Sequence, residues 1–295
     1  MSPLPLAQMA ALAGRFPADH LHRIDLPYRF SSWALDDPAN AALWPDPRGE
    51  LRAWAVVQAP FWTIDCACDP AGEEELFPQL LAWAGRRTRE VAGTPHERPA
   101  WFVNVFARQA GRRRALEAAG FADQGDVGED SWSKVWLRWA AGAPLPAGPR
   151  PEGFTIRPLA GAAEVDVYVA LHRAAFESKS MTPAWRARTL QQPAYRPTLD
   201  LLAVAPDGRP AGFGIFWLAG DQGQVEPIGV GADYRGRGLG QALLAEGLRR
   251  LHAAGAREVY VETDNYRDAA LGMYEAAGFQ VVEQVRVYRA PDGAR

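Results

Sequence analysis

Six residues in the last third of the chain, Arg235-Gly236-Arg237-Gly238-Leu239-Gly240, have the composition of an anion cradle. An apolar run with Val225, Ile228 and Val230 stops at Gly231, and leucines follow the cradle at 239, 243, 244, 248 and 251. That pattern predicts strand, glycine turn and helix over 225–244. The first N–H groups of a helix have no intrahelical acceptor, glycines let a ligand approach them, and the dipole favours negative charge; a phosphate is the natural guest. Just upstream, Glu226 is a carboxylate inside the apolar run, where burial would raise its pKa toward the range of a general base. Pro227 beside it brings no N–H to a ladder, so the strand must loosen or bulge there.

Spacing decides which phosphate ligand. A Walker A loop needs Gly-Lys-Ser/Thr at its end, but Gln241 follows Gly240; the dinucleotide fingerprint needs a further glycine at 241 or 243, which are Gln and Leu. What matches is R/Q-x-x-G-x-G/A, occupied by Arg235, Gly238 and Gly240, and the segment resembles the pyrophosphate loop of the GNAT acetyltransferases. The resemblance implies acetyl-coenzyme A as co-substrate, with no metal. It would be held by Arg235, Gly236, Arg237, Gly238, Leu239 and Gly240 and by backbone N–H groups around Ile228, Gly229 and Val230. It also implies a role for Tyr274, which opens Tyr-Glu-x-x-Gly-Phe at 274–279, where the family's tyrosine hydroxyl protonates the departing thiolate. Asn265 follows a strand as the family's coenzyme-contacting asparagine does, two residues farther from Tyr274 than the usual pattern. Glu226 is the candidate base; Gln224 stands where related tandem enzymes carry a glutamate. His172, Glu177, Lys179 and Met181 fall where the family binds acceptor, and each reads as a surface or packing residue.

The elements that must position these residues can be read along the chain. In residues 1–140, runs rich in aromatic and branched residues predict strands at 21–30, 51–58, 61–68, 101–107 and 132–139, with helices at 73–91 and 112–119. Trp54, Trp62, Trp101, Trp132 and Trp136 fall in these strands and are expected in the core rather than in an aromatic ligand site. Residues 141–153 carry prolines at 144, 146, 149 and 151 and read as a linker between domains. The second domain, 154–295, reads as strand 154–159, helix 164–178, a helix capped by Thr182 with Pro183 first, strands 199–205, 211–219 and 224–230, and the leucine-rich helix. Strand 258–263, helix 267–277 and strand 279–288 complete it. That order, β-αα-βββ-α-β-α-β, resembles a whole GNAT domain.

Ala115-Leu116-Glu117-Ala118-Ala119-Gly120-Phe121 echoes Met273-Tyr274-Glu275-Ala276-Ala277-Gly278-Phe279, so the fold class expected is α/β with a mixed sheet, two GNAT folds in tandem. This tandem arrangement resembles that of mycothiol synthase. The first copy carries Glu73-Glu74-Glu75 where the second has its glycine turn, and Leu116 in place of the tyrosine; carboxylates there repel a pyrophosphate, so this copy is expected to be degenerate.

The bulk properties restrict partners. A net charge of −3 gives no electrostatic footprint for nucleic acid or an anionic membrane, and a small molecule is the expected partner. The two cysteines, Cys66 and Cys68, are too close along one strand to bridge and read as small core residues of a cytoplasmic protein. No run reaches the ~18 apolar residues of a spanning helix, and no basic leader precedes the apolar patch near residue 9. The expected activity is transfer of an acetyl group to the amine of a small molecule by direct attack in a ternary complex, because no activated cysteine or Ser–His pair appears. A non-catalytic acyl-coenzyme A binding module and a protein or peptide N-acetyltransferase are the alternatives; the acceptor, and whether the chain is a monomer or homodimer, are not legible.

Overall fold

A computed structural model describes residues 4–126, 132–149 and 151–291, so residue 150 of the expected linker lies outside the described residues. The chain forms two compact units. Unit 1 comprises residues 1–135 and 283–295, and unit 2 residues 136–282. This differs from the linear division expected at 141–153: the end of the chain belongs with the first unit, and residues 136–153 belong with the second. Proline content marked a break in secondary structure correctly, but which strands share a core is a matter of pairing across the sequence.

Unit 1 contains α1 (Leu6–Arg15), α2 (Leu26–Phe30), β1 (Ala41–Pro45), β2 (Leu51–Gln58), β3 (Thr63–Cys68), α3 (Glu73–Glu90), β4 (Phe102–Phe106), α4 (Ala110–Ala118) and the two-residue β5 (Ala122–Asp123). β6 (Lys134–Trp139) begins in this unit, and most of β12 (Gln280–Arg289) belongs to it. Its sheet runs β1-β2-β3-β4-β12, with β4 and β12 antiparallel from Val285↔Phe106 to Arg289↔Phe102. Phe77, Leu80, Leu81 and Ala84, the apolar stripe of α3, pack with Val57, Val103, Val105, Leu116 and Tyr288. Met9, Leu12 and Ala13 of α1 pack with Phe30, Trp54, Val56 and Ala67 in a second cluster.

The strand expected at 21–30 is not one. Residues 21–25 are turn and 26–30 form α2, with Pro27 in its first turn. The apolar spacing was real, since Leu21, Ile24, Leu26, Tyr28 and Phe30 are all buried. The helical geometry points Arg29 into the sheet, where its Nε and Nη2 donate to Asp65 at 2.6 and 2.8 Å. Trp54, Trp101 and Trp136 are buried as expected of core residues, whereas Trp62 is 40% exposed.

Unit 2 contains β7 (Thr155–Pro158), α5 (Val165–Phe176), α6 (Pro183–Leu190), β8 (Asp200–Val204), β9 (Pro210–Ala219), β10 (Gln222–Val230), α7 (Leu239–Ala253), β11 (Glu258–Asp264) and α8 (Asp268–Ala276). These match the expected elements to within a few residues, including the Thr182 cap, whose hydroxyl accepts from the Trp185 N–H at 3.1 Å. The strand order is β6-β11-β10-β9-β8-β7; β7 to β10 pair antiparallel and β10 with β11 parallel.

Helices cover both faces of this sheet. On one face α7 packs so closely that an added Cβ at Gly223 would lie 2.9 Å from Leu251, and one at Gly247 would lie 2.0 Å from the Phe216 ring. On the other face Tyr168 and His172 of α5 set their rings 5.0 and 5.5 Å from that of Phe213. Beneath α5 a fully buried ion pair joins Arg186 to Asp200, which also accepts from the Tyr195 hydroxyl at 2.7 Å. Such a pair is intolerant of losing one partner, because the survivor is a buried charge.

Candidate active site

The β10–β11 pair opens where the chemistry was expected. Among the described residues the parallel register runs Gln222↔Glu258, Gly223↔Val259 and Gln224↔Tyr260 and goes no further, although both strands continue. On its other side β10 shifts register against β9 between Val225 and Ile228, which is the irregularity that Pro227 requires. The Glu226–Pro227 bond is cis, and the Glu226 carbonyl, turned out of the ladder, accepts from Trp217 Nε1 at 2.8 Å. A gap thus opens between β10 and β11, flanked by Glu226, Ile228, Gly229 and Val230, whose side chains are half-buried or absent.

Beyond β10 the chain turns through Gly236 and Gly238, with φ of +74° and +77°, into α7. Both angles lie in the left-handed region that glycine tolerates without strain. The first bond closed inside α7 is Ala242 N–H to Gly238 C=O, 2.9 Å, so the N–H groups ahead of it are not used by the helix. No side chain caps this end. Gly240 lies in the first turn where an added Cβ would be 2.9 Å from Met273 Sδ of α8. These features fit a pyrophosphate: bare N–H groups, two left-handed glycines and exposed Arg235 and Arg237 beside them. Arg235 donates from Nη2 to the Ala175 carbonyl at 2.8 Å, tying the turn to the end of α5.

Tyr274 lies on α8, only 5% exposed, its ring edge-on to Phe279 at 5.7 Å. Burial first, then the negative charge of Glu226, push its hydroxyl well above the usual phenol pKa, and Arg267 offsets part of that. The charge of Glu226 thus bears on Tyr274, which stays protonated near neutral pH. Asn265 is exposed in the β11–α8 turn. On the acceptor side His172 is buried within an aromatic cluster, and burial, with Arg186 and Arg173 nearby, lowers its pKa to about 3; it is a neutral packing residue. Met181 is fully buried, while Glu177 and Lys179 are surface or edge residues.

The residue whose burial the sequence does not reveal is Gln224. It is 1% exposed and its Oε1 is buried without a hydrogen-bond partner. Its neighbour Gln222 donates from Nε2 to Glu258 Oε2 at 2.9 Å, and the Tyr260 hydroxyl donates to the same carboxylate oxygen at 2.7 Å. The resemblance singles out Gln224 over Gln222 by position, but its burial follows from where strand pairing ends.

Unit 1 carries the comparable elements with different contents. Glu73, Glu74 and Glu75 fill the first turn of α3 without capping it; Asp69 Oδ1 accepts from the Ala71 N–H of the preceding turn at 2.9 Å, and Glu73 pairs with Arg112 at 2.6 Å. β3 and β4 also part after a single parallel register, Thr63↔Phe102. The space beside them is a cavity of about 40 Å³ with both polar and apolar walls, His20, Asp65, Asn104 and Arg112 beside Leu26 and Trp54. It has room for a few waters, not an acyl thioester arm.

A strand that parts from its parallel neighbour beside a glycine-bearing helix entrance is the arrangement that the resemblance to the GNAT fold implies. The Acetyltransferase (GNAT) family model matches residues 165–279. A mycothiol acetyltransferase from Clavibacter sepedonicus is 39% identical over 83% of this chain and 74% of its own length. One from Clavibacter michiganensis is 41% identical over 65% of this chain and 60% of its own length. The tandem GNAT protein from the clavulanic acid biosynthesis pathway shares the fold, with a TM-score of 0.64 at 16% identity, over 97% of this chain and 95% of that one. The chain belongs to the GNAT acetyltransferase family, in its tandem form. The match to the first of several curated relatives spans about half to three fifths of their length.

Proposed function

We propose that unit 2 is an acetyl-coenzyme A dependent N-acetyltransferase that acts on a small-molecule amine in a ternary complex. The single observation that carries this reading is the parting of β10 from β11 at Gln224↔Tyr260, immediately before Glu226 and the glycine turn. The turn from Arg235 to Gly240 would hold the pyrophosphate, backbone N–H groups around Ile228, Gly229 and Val230 the pantetheine end and the acetyl carbonyl, and Asn265 the outer part of the coenzyme. Bound there, acetyl-coenzyme A supplies an acetyl thioester.

Glu226, directly or through a water, takes the proton shed by the amine nitrogen as the N–C bond forms. Tyr274, protonated because it is buried beside that carboxylate, gives its proton to the sulfur as the C–S bond breaks. The acceptor is then acetylated and the thiol leaves neutral. The mycothiol acetyltransferase relatives favour a small thiol-related amine over a protein N-terminus. A screen of amines and peptides for thiol release tests the proposal. Thiol release with small amines is expected; tight acetyl-coenzyme A binding with no turnover across the screen would favour a non-catalytic binding module, and turnover confined to peptides a protein acetyltransferase.

A further inference from the structure

The cavity of unit 1, where β3 parts from β4 after Thr63↔Phe102, is lined by polar atoms with nothing to bond. His20 is only 5% exposed and both its ring nitrogens are buried without a hydrogen-bond partner; the Oδ1 of Asn104 is in the same state. Asp65, Gln109 and Arg112, which also line the cavity, are committed to protein partners. Asp65 pairs with Arg29, Arg112 with Glu73 and the Asp19 carbonyl, and Gln109 with that carbonyl and the Phe106 N–H. A buried polar group left unpaired is costly, and the great majority in native proteins are satisfied by protein, water or ligand. Water alone suits this space poorly. A buried water makes about three hydrogen bonds, and the space is walled as much by Ala13, Leu26, Trp54 and Phe106 as by polar groups.

The unpaired atoms narrow the guest. Asn104 Oδ1 can only accept, so the guest must donate; the neutral imidazole offers one N–H and one bare nitrogen in either tautomer. Burial, then Arg112 and Arg23, lower the His20 pKa to about 3, and the positive field of those two guanidiniums disfavours a cation. A carboxylate has no hydrogen to give Asn104. What remains is a neutral molecule with a donor and an acceptor on neighbouring atoms, an apolar end, and the bulk of a few waters. We propose that this cavity is a binding site for a small neutral amide, its N–H donating to Asn104 Oδ1 and its carbonyl accepting from His20. All the lining residues belong to unit 1, and the assignment does not depend on the acetyltransferase reading. Such a group arrives either as a free primary amide or as the acetamido end of an N-acetylated amine, the kind of product unit 2 would release.

The probe is acetamide, titrated into the isotope-labelled full chain and followed by NMR at the Asn104 side-chain amide. Acetone, an isostere that cannot donate, and acetate, which is charged, are the controls. Saturable acetamide binding in the millimolar range is expected, as suits so small a ligand, with acetone and acetate weaker by roughly tenfold or more. His20→Phe is expected to abolish binding, and His20→Gln, which keeps a donor and an acceptor, to retain it. Should either variant fold poorly, the acetone comparison on wild type decides alone. N-acetylethanolamine identifies the source: its binding assigns the acetamido end of a larger molecule, and its exclusion while acetamide binds assigns a free primary amide. Absence of saturable acetamide binding, equal binding of acetone, or full binding by folded His20→Phe overturns the proposal and leaves the cavity to water.

Discussion

Tyr274 and Glu226 divide the proton traffic of the proposed reaction, and each can be removed with little change of shape. Tyr274→Phe keeps the ring against Phe279 and is expected to lower kcat by roughly 10²–10⁴-fold, with acetyl-coenzyme A affinity little changed. Pre-steady-state thiol release, with calorimetry for affinity, separates this from a loss of binding. A preserved kcat would return the tyrosine to the core. The buried histidines set acid stability. His20 in unit 1 and His172 in unit 2 are both lowered from 6.5 to about 3, chiefly by burial. A depressed folded pKa means that the unfolded chain binds the proton first. The stability contribution is therefore full above pH 6.5 and is lost as pH falls from 6.5 toward 3, by about 1.4 kcal/mol per pH unit for each histidine. Denaturant unfolding of His172→Phe between pH 7 and pH 4 should show a shallower decline than wild type; equal slopes would refute the assignment. Tyr274 could be singled out from the sequence through the resemblance of its Tyr-Glu-x-x-Gly-Phe ending to the family's, and Gln224 through its position, whereas the burial of Gln224 and its unpaired oxygen are properties of where β11 stops pairing.

The elements of unit 2 were almost all legible, because each has its own punctuation: Thr182-Pro183 opening α6, a Pro-Asp-Gly turn between β8 and β9, and glycine before α7. α2 was missed because its apolar residues Leu26, Tyr28 and Phe30 alternate along the sequence much as a strand's would, while the burial of Arg29 between them is not written in the residue types. Close approach of α7 to the sheet was equally invisible, and it yields a prediction. Gly247→Ala improves helix propensity by about 1 kcal/mol, but the new methyl would overlap the Phe216 ring, whose atoms lie 2.0 to 2.4 Å from that Cβ position. The net effect is expected to be destabilising by about 1–3 kcal/mol and to be largely recovered in Gly247→Ala with Phe216→Leu. Thermal melts of the single and double variants decide. In the turn itself, Gly238→Glu places bulk and negative charge at a left-handed position where the pyrophosphate would lie, and is expected to weaken acetyl-coenzyme A binding by at least 10²-fold. Unchanged affinity in a folded variant would move the cofactor site elsewhere.

The division of the whole chain follows neither the linker nor the order of the sequence. Val285, Val287 and Tyr288 of β12 are completely buried in unit 1, against β4. Removing residues 283–295 strips three core side chains, each contributing about 1.5–3 kcal/mol, a sum comparable to the stability of a typical domain. The expected outcome is loss of amide hydrogen-exchange protection throughout β2, β3 and β4 of unit 1; retained protection would show that unit 1 closes without its last strand. Pairing between β4 and the late-made β12 has a further consequence, one of time. At synthesis rates of about 5–20 residues per second, β4 leaves the ribosome roughly 10–40 s before its partner exists. Its hydrogen-bonding edge is unsatisfied for that interval, and the first unit cannot complete itself ahead of the second as a vectorially folding domain does. Newly made chains should therefore depend on a holdase that shields strand edges, and a translational stall before β12 should be a point of aggregation.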